Sequence, residues 1–225
     1  MRNKAGRVPR GLYAVTPESA DTAALVSRVR QCLAGGAALI QYRGKSAASG
    51  LALDQARQIA AACREAGVPF IVNDSVDLAI AVGADGVHVG RDDAGVDEAR
   101  RRMPGAIVGA SCYADAALAA RAAAAGADYV AVGSMFASPT KPHAPRAPLS
   151  LIEAAQRASG LPVAAIGGIT LENAPTLVEA GAHLLAVISS VFDAADVREA
   201  AQAFARLYEA PRSGGTDVRA QPRAV

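Results

Sequence analysis

Gln41, Arg43 and Lys45 are spaced by two, so an extended segment carries all three side chains on one face. Two cations and an amide converging in this way suit a polyphosphate, because a guanidinium offers a planar fork and an ammonium a mobile point charge. A solvated strand end, with the charges facing water, is the competing reading. Farther along, Asn73-Asp74 and Arg91-Asp92-Asp93 follow short apolar runs. Carboxylates beside a phosphate-binding cluster are donors for Mg²⁺, a hard ion that takes oxygen from one or two carboxylates and from substrate phosphate. Asp74 and Asp93 are the candidate ligands, and Asp92 is the weaker one. An N-cap of the following helix is the alternative role for Asp74.

The elements that must position these residues are legible as a recurring unit. A short run rich in Val, Ile and Leu is followed by polar or glycine residues, then by an alanine-rich stretch ending in Gly. The apolar runs are nearly continuous rather than alternating, the mark of parallel strands buried on both faces. They fall at 11–16, 38–43, 69–73, 86–90, 106–110, 128–132, 162–166 and 183–188. Helices are expected near 18–34, 48–66, 75–83, 95–103, 115–125, 149–159, 171–180 and 194–209. Eight strict strand-then-helix alternations predict an α/β fold, a single (β/α)8 TIM barrel over residues 11–209, with a doubly wound sheet as the competing arrangement. Residues 1–10 read as an N-terminal arm, and the Pro- and Gly-containing stretch 210–225 as a disordered tail.

In such a barrel the active site forms at the carboxyl ends of the strands, so the polar residues just listed open onto one mouth. Neighbouring strands lie about 4.8 Å apart, which brings Asp74 and Asp93 together. The long connection 133–148 holds four prolines, and its Ser138, Thr140 and Lys141 offer hydroxyls and an ammonium to an anion, as a lid or clamp would. Gly167-Gly168 and Ile188-Ser189 follow the seventh and eighth runs, where barrels bind phosphate monoesters with backbone amides. His88 lies within a strand, where a hydrogen-bonded core histidine outweighs a general base. Cys112, beside Ser111, faces no His-Asp arrangement that would support nucleophilic chemistry.

Composition sets the outer limits. The 225 residues are 52% hydrophobic, but 55 of them are alanine, and 23 basic against 21 acidic residues leave a net charge of +2. Disorder is excluded for most of the chain, and a charge-driven nucleic-acid binder is disfavoured. No apolar run approaches the roughly 20 residues that cross a bilayer. The basic start leads into Pro9 and a strand rather than an apolar leader, and three cysteines form neither a disulfide framework nor a zinc pattern. The cytoplasm is the expected compartment. Small phosphorylated molecules are the expected partners, with no nucleic acid and no membrane, and a homo-oligomer is left open.

Taken together, Gln41-Tyr-Arg-Gly-Lys45, Val72-Asn-Asp74, Gly86-Val-His-Val-Gly-Arg-Asp-Asp93, Gly109-Ala-Ser111, Ser138-Pro-Thr-Lys141, Gly167-Gly-Ile169 and Ile188-Ser189 resemble the thiamine-phosphate synthase family over about residues 11–205. The resemblance implies a single TIM barrel joining a hydroxymethylpyrimidine diphosphate to a (carboxy)thiazole phosphate, with release of pyrophosphate. It implies that Gln41, Arg43, Lys45, Asn73, Ser111 and Lys141 hold the pyrimidine diphosphate, with Arg43, Lys45, Ser111 and Lys141 catalytic. Asp74 and Asp93 would bind Mg²⁺, and Ser138, Thr140, Gly168, Ile188 and Ser189 the thiazole phosphate. The implied reaction is dissociative: pyrophosphate leaves first and the thiazole nitrogen captures a pyrimidine-stabilised cation. Two departures stand out. Ser138-Pro-Thr replaces the commoner Thr-x-Thr, and Cys112-Tyr113 follow Ser111 where small or polar residues are usual. A thiazole tautomerase on the same fold would lack a use for Asp74 and Asp93. A noncatalytic sensor of phosphorylated ligands would keep the loops and show no turnover.

Overall fold

The structure is a computed structural model that describes residues 8–90, 95–137 and 146–209. Strands and helices alternate along the chain. They run β1 (Gly11–Val15), α1 (Thr22–Ala34), β2 (Leu39–Tyr42), α2 (Ser49–Ala66), β3 (Phe70–Asn73), α3 (Val76–Val82), β4 (Gly86–Val89) and α4 (Val96–Arg102). The second half continues with β5 (Ile107–Tyr113), α5 (Ala116–Ala125), β6 (Tyr129–Val132), α6 (Ser150–Ser159), β7 (Val163–Ile166), α7 (Ala174–Glu179), β8 (Leu184–Val187), α8 (Ser189–Phe192) and α9 (Val197–Arg206). Each strand pairs in parallel with the next, and β1 pairs with β8, so the sheet closes into a barrel. The (β/α)8 expectation is met.

Two differences from the sequence reading are local. The strand β5 runs on to Tyr113, with a register shift against β6 between Ser111 and Tyr113. A bulge of this kind lets a strand continue past the point where its hydrophobic run stops. The other is α8, a single turn directly after β8 whose residues read as loop in the sequence because four residues carry no periodicity.

Because side chains alternate across a strand, each strand feeds two cores. One side packs against the helices, where Leu12, Ile40, Tyr42, Phe70, Val72 and Val130 are buried. Alanine serves this layer. Ala56, Ala60 and Ala62 on α2 and Ala119 and Ala122 on α5 are buried, so small side chains let the helices approach the sheet. The other side fills the barrel with a smaller cluster that includes Tyr13, Leu39, Ile71, Tyr129, Ala164 and Leu184. Val8, just before β1, is buried in this interior cluster, and the His183 ring Nε2 lies 3.1 Å from its carbonyl. Of the arm expected at 1–10, Val8 is thus packed against the barrel interior, while 1–7 and the tail 210–225 lie outside the described residues.

Packing inside the barrel fixes one glycine. A Cβ on Gly109 would sit 2.1 Å from Tyr129 Cζ, so the Tyr129 ring occupies the space a side chain at 109 would need. Gly109→Ala should therefore destabilise the fold by about 1–3 kcal/mol, the cost of overpacking a filled core. The midpoint of denaturant unfolding measures it, and an unchanged midpoint would contradict this packing.

Candidate active site

The mouth at the carboxyl ends of the strands is built from the β1, β2, β3 and β4 connections first. Thr16 and Glu18 follow β1. The Thr16 hydroxyl accepts from the Arg43 backbone N–H at 2.9 Å, and the Thr16 N–H donates to the Gln41 carbonyl at 2.9 Å. Glu18 is the residue that the sequence did not single out. Its carboxylate accepts from the Lys45 backbone N–H at 2.9 Å, the Ser46 N–H at 3.3 Å and the Ser46 hydroxyl at 2.7 Å, and it meets the Arg43 guanidinium at 3.3 Å. One carboxylate thus ties down the loop that carries both cations. Partial desolvation pushes the Glu18 carboxyl up, but the Ser46 and Lys45 hydrogen bonds and the Arg43 charge outweigh it and hold the group below the usual carboxylate range. A lone glutamate in a loop gives no sequence pattern, which is why spacing could not find it.

Gln41, Arg43 and Lys45 were expected on one extended face. The strand ends at Tyr42, so only Gln41 is placed by strand alternation, pointing into the barrel and nearly buried. Arg43 and Lys45 lie in the loop beyond, and their positions come from Glu18 rather than from a pleat. The Lys45 ammonium sits 2.8 Å from an Asp74 carboxylate oxygen. Both cations therefore face a carboxylate and are not simply solvated, although Lys45 is 55% exposed.

Asp74 itself has φ +64, in the left-handed region that non-glycine residues seldom adopt. Its N–H donates to the His88 carbonyl at 2.8 Å, which anchors the turn to β4. The N-cap role is taken by its neighbour: the Ser75 hydroxyl accepts from the Leu78 N–H at 3.1 Å. Asp74 is thus left for the mouth. Asn73 ends β3 beside it, half-buried and in register with His88. The expected second carboxylate, Asp93, lies outside the described residues, as do Asp92, Ser138, Thr140 and Lys141. Among the described residues no group of three or more His, Cys, Asp or Glu gathers as a metal cage. Asp74, one carboxylate among the described residues of the mouth, fits a Mg²⁺ ion that takes most of its ligands from substrate and water rather than from an all-protein site.

The opposite arc of the mouth is backbone. Gly168 has φ +62, and a Cβ there would fall 2.2 Å from the Ala137 carbonyl oxygen, so only glycine lets the chain pass. Ile188 caps α8, whose first turn leaves the N–H groups of Ser189 and Ser190 without an intrahelical acceptor. The Ser190 hydroxyl donates to the Ile169 carbonyl at 2.7 Å and locks this turn against the Gly167-Gly168 segment. Gly168 and Ser189 thus stand side by side in chain segments just beyond the ends of β7 and β8.

Ser111 on β5 completes the set, with its hydroxyl 2.9 Å from His88 Nε2. His88 is a buried, hydrogen-bonded barrel histidine, in keeping with the reading of its strand position. Cys112 next door is buried and points its thiol at the Ala110 carbonyl, 3.7 Å away. Burial pushes that thiol up to about 12, which removes it from nucleophilic chemistry.

An eight-stranded parallel barrel with two cations and their carboxylates gathered at the carboxyl ends of its strands has the architecture of the TIM-barrel enzymes. The family model described as thiamine monophosphate synthase matches residues 12–191. A thiamine-phosphate synthase of Aromatoleum aromaticum is 56% identical over 202 residues, covering 89% of this chain and 97% of that protein. The thiamine-phosphate synthase of Thiobacillus denitrificans is 54% identical over 203 residues, covering 90% and 96%. Among solved structures, a thiamine phosphate pyrophosphorylase from Pyrococcus furiosus superposes with a TM-score of 0.80 at 35% identity, covering 92% of this chain and 97% of the other. The chain belongs to the thiamine monophosphate synthase family.

The Glu18 clamp predicts a local effect. Glu18→Ala should speed hydrogen exchange at the Lys45 and Ser46 amides by about tenfold or more, because both lose a charged acceptor. The folded carboxyl titrates below its unfolded value, so its stabilisation is present above the ordinary carboxylate range and fades as pH falls through the folded value. Protection of these amides, taken relative to their unstructured exchange rate at each pH, should therefore fall in acid in the native chain and stay flat in the variant, as read by amide-resolved NMR.

Proposed function

We propose that this chain condenses a hydroxymethylpyrimidine diphosphate with a thiazole phosphate to give thiamine phosphate and pyrophosphate. The observation that carries the reading is the division of the mouth, with a cation-and-carboxylate arc on β2 and β3 and an amide arc on β7 and β8. Two arcs of different chemistry suit two phosphorylated substrates brought face to face. Membership of the family supplies the reaction. A tautomerase acting on a thiazole phosphate alone leaves Arg43, Lys45 and Asp74 without a task.

In this reading Arg43 and Lys45 bind the diphosphate, with Gln41, Asn73 and Ser111 beneath them to orient the pyrimidine. Substrate oxygens take over the cations now paired with Glu18 and Asp74. Negative charge grows on the bridging oxygen as the bond to the pyrimidine methylene breaks, and the Arg43 guanidinium and Lys45 ammonium stabilise it there. Mg²⁺ bound at Asp74, with Asp93 as the second ligand, would supply Lewis-acid neutralisation of the leaving diphosphate. The thiazole phosphate is held by the amides of Gly168 and Ser189 beside Ile188, which aims the ring nitrogen at the methylene carbon. Nothing in this sequence needs a general base, in accord with a mouth where the described cysteine thiol is protonated and the histidine is committed to hydrogen bonds. Ser138 and Thr140 are assigned to the thiazole phosphate and Lys141 to the diphosphate. The cytoplasm is the proposed compartment, since Cys32, Cys63 and Cys112 are free thiols and no helix among the described residues is long and apolar enough to cross a membrane.

The deciding experiment is incubation with both substrates and Mg²⁺, followed by chromatography for thiamine phosphate and an assay for pyrophosphate. Both products should appear together, and neither from one substrate alone. Absence of product with both substrates bound would leave the sensor reading. Asp74→Asn should raise the Mg²⁺ concentration for half-maximal turnover by about tenfold or more, as loss of a metal ligand does. An unchanged Mg²⁺ dependence would remove Asp74 from the ligand set.

A further inference from the structure

The barrel interior holds a feature that the reaction above does not use. Tyr13 on β1, Tyr129 on β6 and His88 on β4 form a continuous line of hydrogen bonds between Gln41 on β2 and Ser111 on β5. The Gln41 amide Nε2 donates to the Tyr13 hydroxyl, and the two tyrosine hydroxyls lie 2.7 Å apart. The Tyr129 hydroxyl lies 3.0 Å from His88 Nδ1, and His88 Nε2 lies 2.9 Å from the Ser111 hydroxyl. The rings are packed as well. Tyr13 meets Tyr129 edge-on at 5.8 Å, and His88 lies 5.5 Å from the Tyr129 ring centre.

With the Gln41 amide as the donor at one end, the direction of every other proton in this line follows from counting. Tyr13 is buried and has two hydrogen-bond partners among the described residues, Gln41 and Tyr129. It accepts from Gln41, so its own proton must go to Tyr129 or be left unpaired in the core, which costs about 1–3 kcal/mol. Tyr129 is in the same position: it accepts from Tyr13, and its proton goes to His88 Nδ1. Burial pushes both phenols well above their ordinary range, so both remain donors throughout the pH range in which proteins are folded. A neutral imidazole that accepts at Nδ1 carries its hydrogen on Nε2. That hydrogen goes to the Ser111 oxygen, which leaves the Ser111 proton to point onward.

We propose that Tyr13, Tyr129 and His88 are positioning residues that lock the Gln41 amide and the Ser111 hydroxyl into one correlated orientation. With Gln41 giving Nε2–H inward, its Oε1 faces away as an acceptor and Ser111 presents O–H as a donor. Turning the Gln41 amide over reverses every bond in the line and makes Ser111 an acceptor, so the two ends always change together. Two groups on opposite sides of the barrel are thereby set to read a heteroaromatic ring by its pattern of donors and acceptors. That last step rests on the reading of Gln41 and Ser111 as pyrimidine ligands, whereas the line of bonds does not.

The test uses the full chain labelled with ¹⁵N-histidine, in which only His88, His143 and His183 contribute. Long-range ¹H–¹⁵N spectra, assigned by His88→Gln, should show His88 as the Nε2–H tautomer. Gln41→Leu, three residues up the line, removes the fixed donor, so His88 should lose its single tautomer and become a mixture. The same substitution in a Tyr13→Phe chain should leave the His88 spectrum as in Tyr13→Phe alone, because the line is cut. In turnover assays Tyr129→Phe should raise the KM for the pyrimidine diphosphate about tenfold, the scale of one buried hydrogen bond, with the KM for the thiazole phosphate unchanged. A native His88 carrying hydrogen on Nδ1, or on both nitrogens, overturns the proposal. So does a Gln41→Leu response that persists in Tyr13→Phe. If the tautomer responds as expected and no thiamine phosphate forms, the line stands and the proposed function falls. If thiamine phosphate forms and the tautomer does not respond, the reverse holds.

Discussion

A hydroxyl buried at the centre of a closed barrel has no water to turn to, and the contact between Tyr13 and Tyr129 is where this barrel meets that constraint. Each phenol satisfies the other, and each then needs one more partner, which fixes Gln41 on one side and His88 on the other. The demand propagates. Tyr129 can occupy the interior only because residue 109 is glycine, and His88 reaches Ser111 only because β4 and β5 are in register at His88 and Gly109. A polar seam through an otherwise apolar cluster therefore selects one register and one set of rotamers, where aliphatic side chains alone would accept several.

Above this seam the mouth follows different rules. Its groups are charged and partly wet, and each cation stands beside a carboxylate, Arg43 by Glu18 and Lys45 by Asp74. Exposed pairs of this kind contribute little to stability, about 0–1 kcal/mol each. Their value is positional. Glu18 holds the backbone of Lys45 and Ser46 as well as the Arg43 side chain, so the loop after β2 is shaped before any phosphate arrives. Buried ionic clamping is found elsewhere, where Asp128 near the start of β6 accepts from Arg100 and from the Val108 N–H. Stability and ligand handling are thus kept at opposite ends of the strands.

Much of this was legible in the sequence, and the reasons are specific. The eight apolar runs were readable because a parallel strand buried on both faces is continuous in Val, Ile, Leu and Ala, and the glycines at 67, 83, 126 and 160 do close helices in the left-handed conformation. Gln41, Asn73, Ser111, Gly168 and Ser189 were singled out because strand-end position marks a barrel mouth, and the structure places them on or just beyond β2, β3, β5, β7 and β8. Glu18 was missed because it sits in a loop with no period and acts through backbone amides. Tyr13 and Tyr129 were missed for the opposite reason. Their strands are apolar, tyrosine passes as one more large core residue, and a hydrogen bond between positions 116 residues apart leaves no local trace. The sequence also offered two roles for Asp74, and only the backbone, with Ser75 as the helix cap and Asp74 at positive φ, removes the N-cap role.

The contrast between a neutral seam and a charged rim follows from the cost of desolvation. Taking an ion from water into a barrel interior costs several kcal/mol after relaxation, and a partner returns that only with excellent geometry. A heteroaromatic ring is neutral and must be recognised deep enough to be oriented, so amide, phenol, imidazole and hydroxyl are the groups that can wait there in the dry. A diphosphate is highly charged and must leave, so its partners belong where water and carboxylates can stand in for it between turnovers. Placing the neutral groups on the strands and the charged ones in the connections that leave those strands would align the ring with its leaving group in the proposed reaction. In the proposed reaction this brings the breaking bond to the boundary between the two layers, with the neutral groups on the ring side and the charged ones on the diphosphate side.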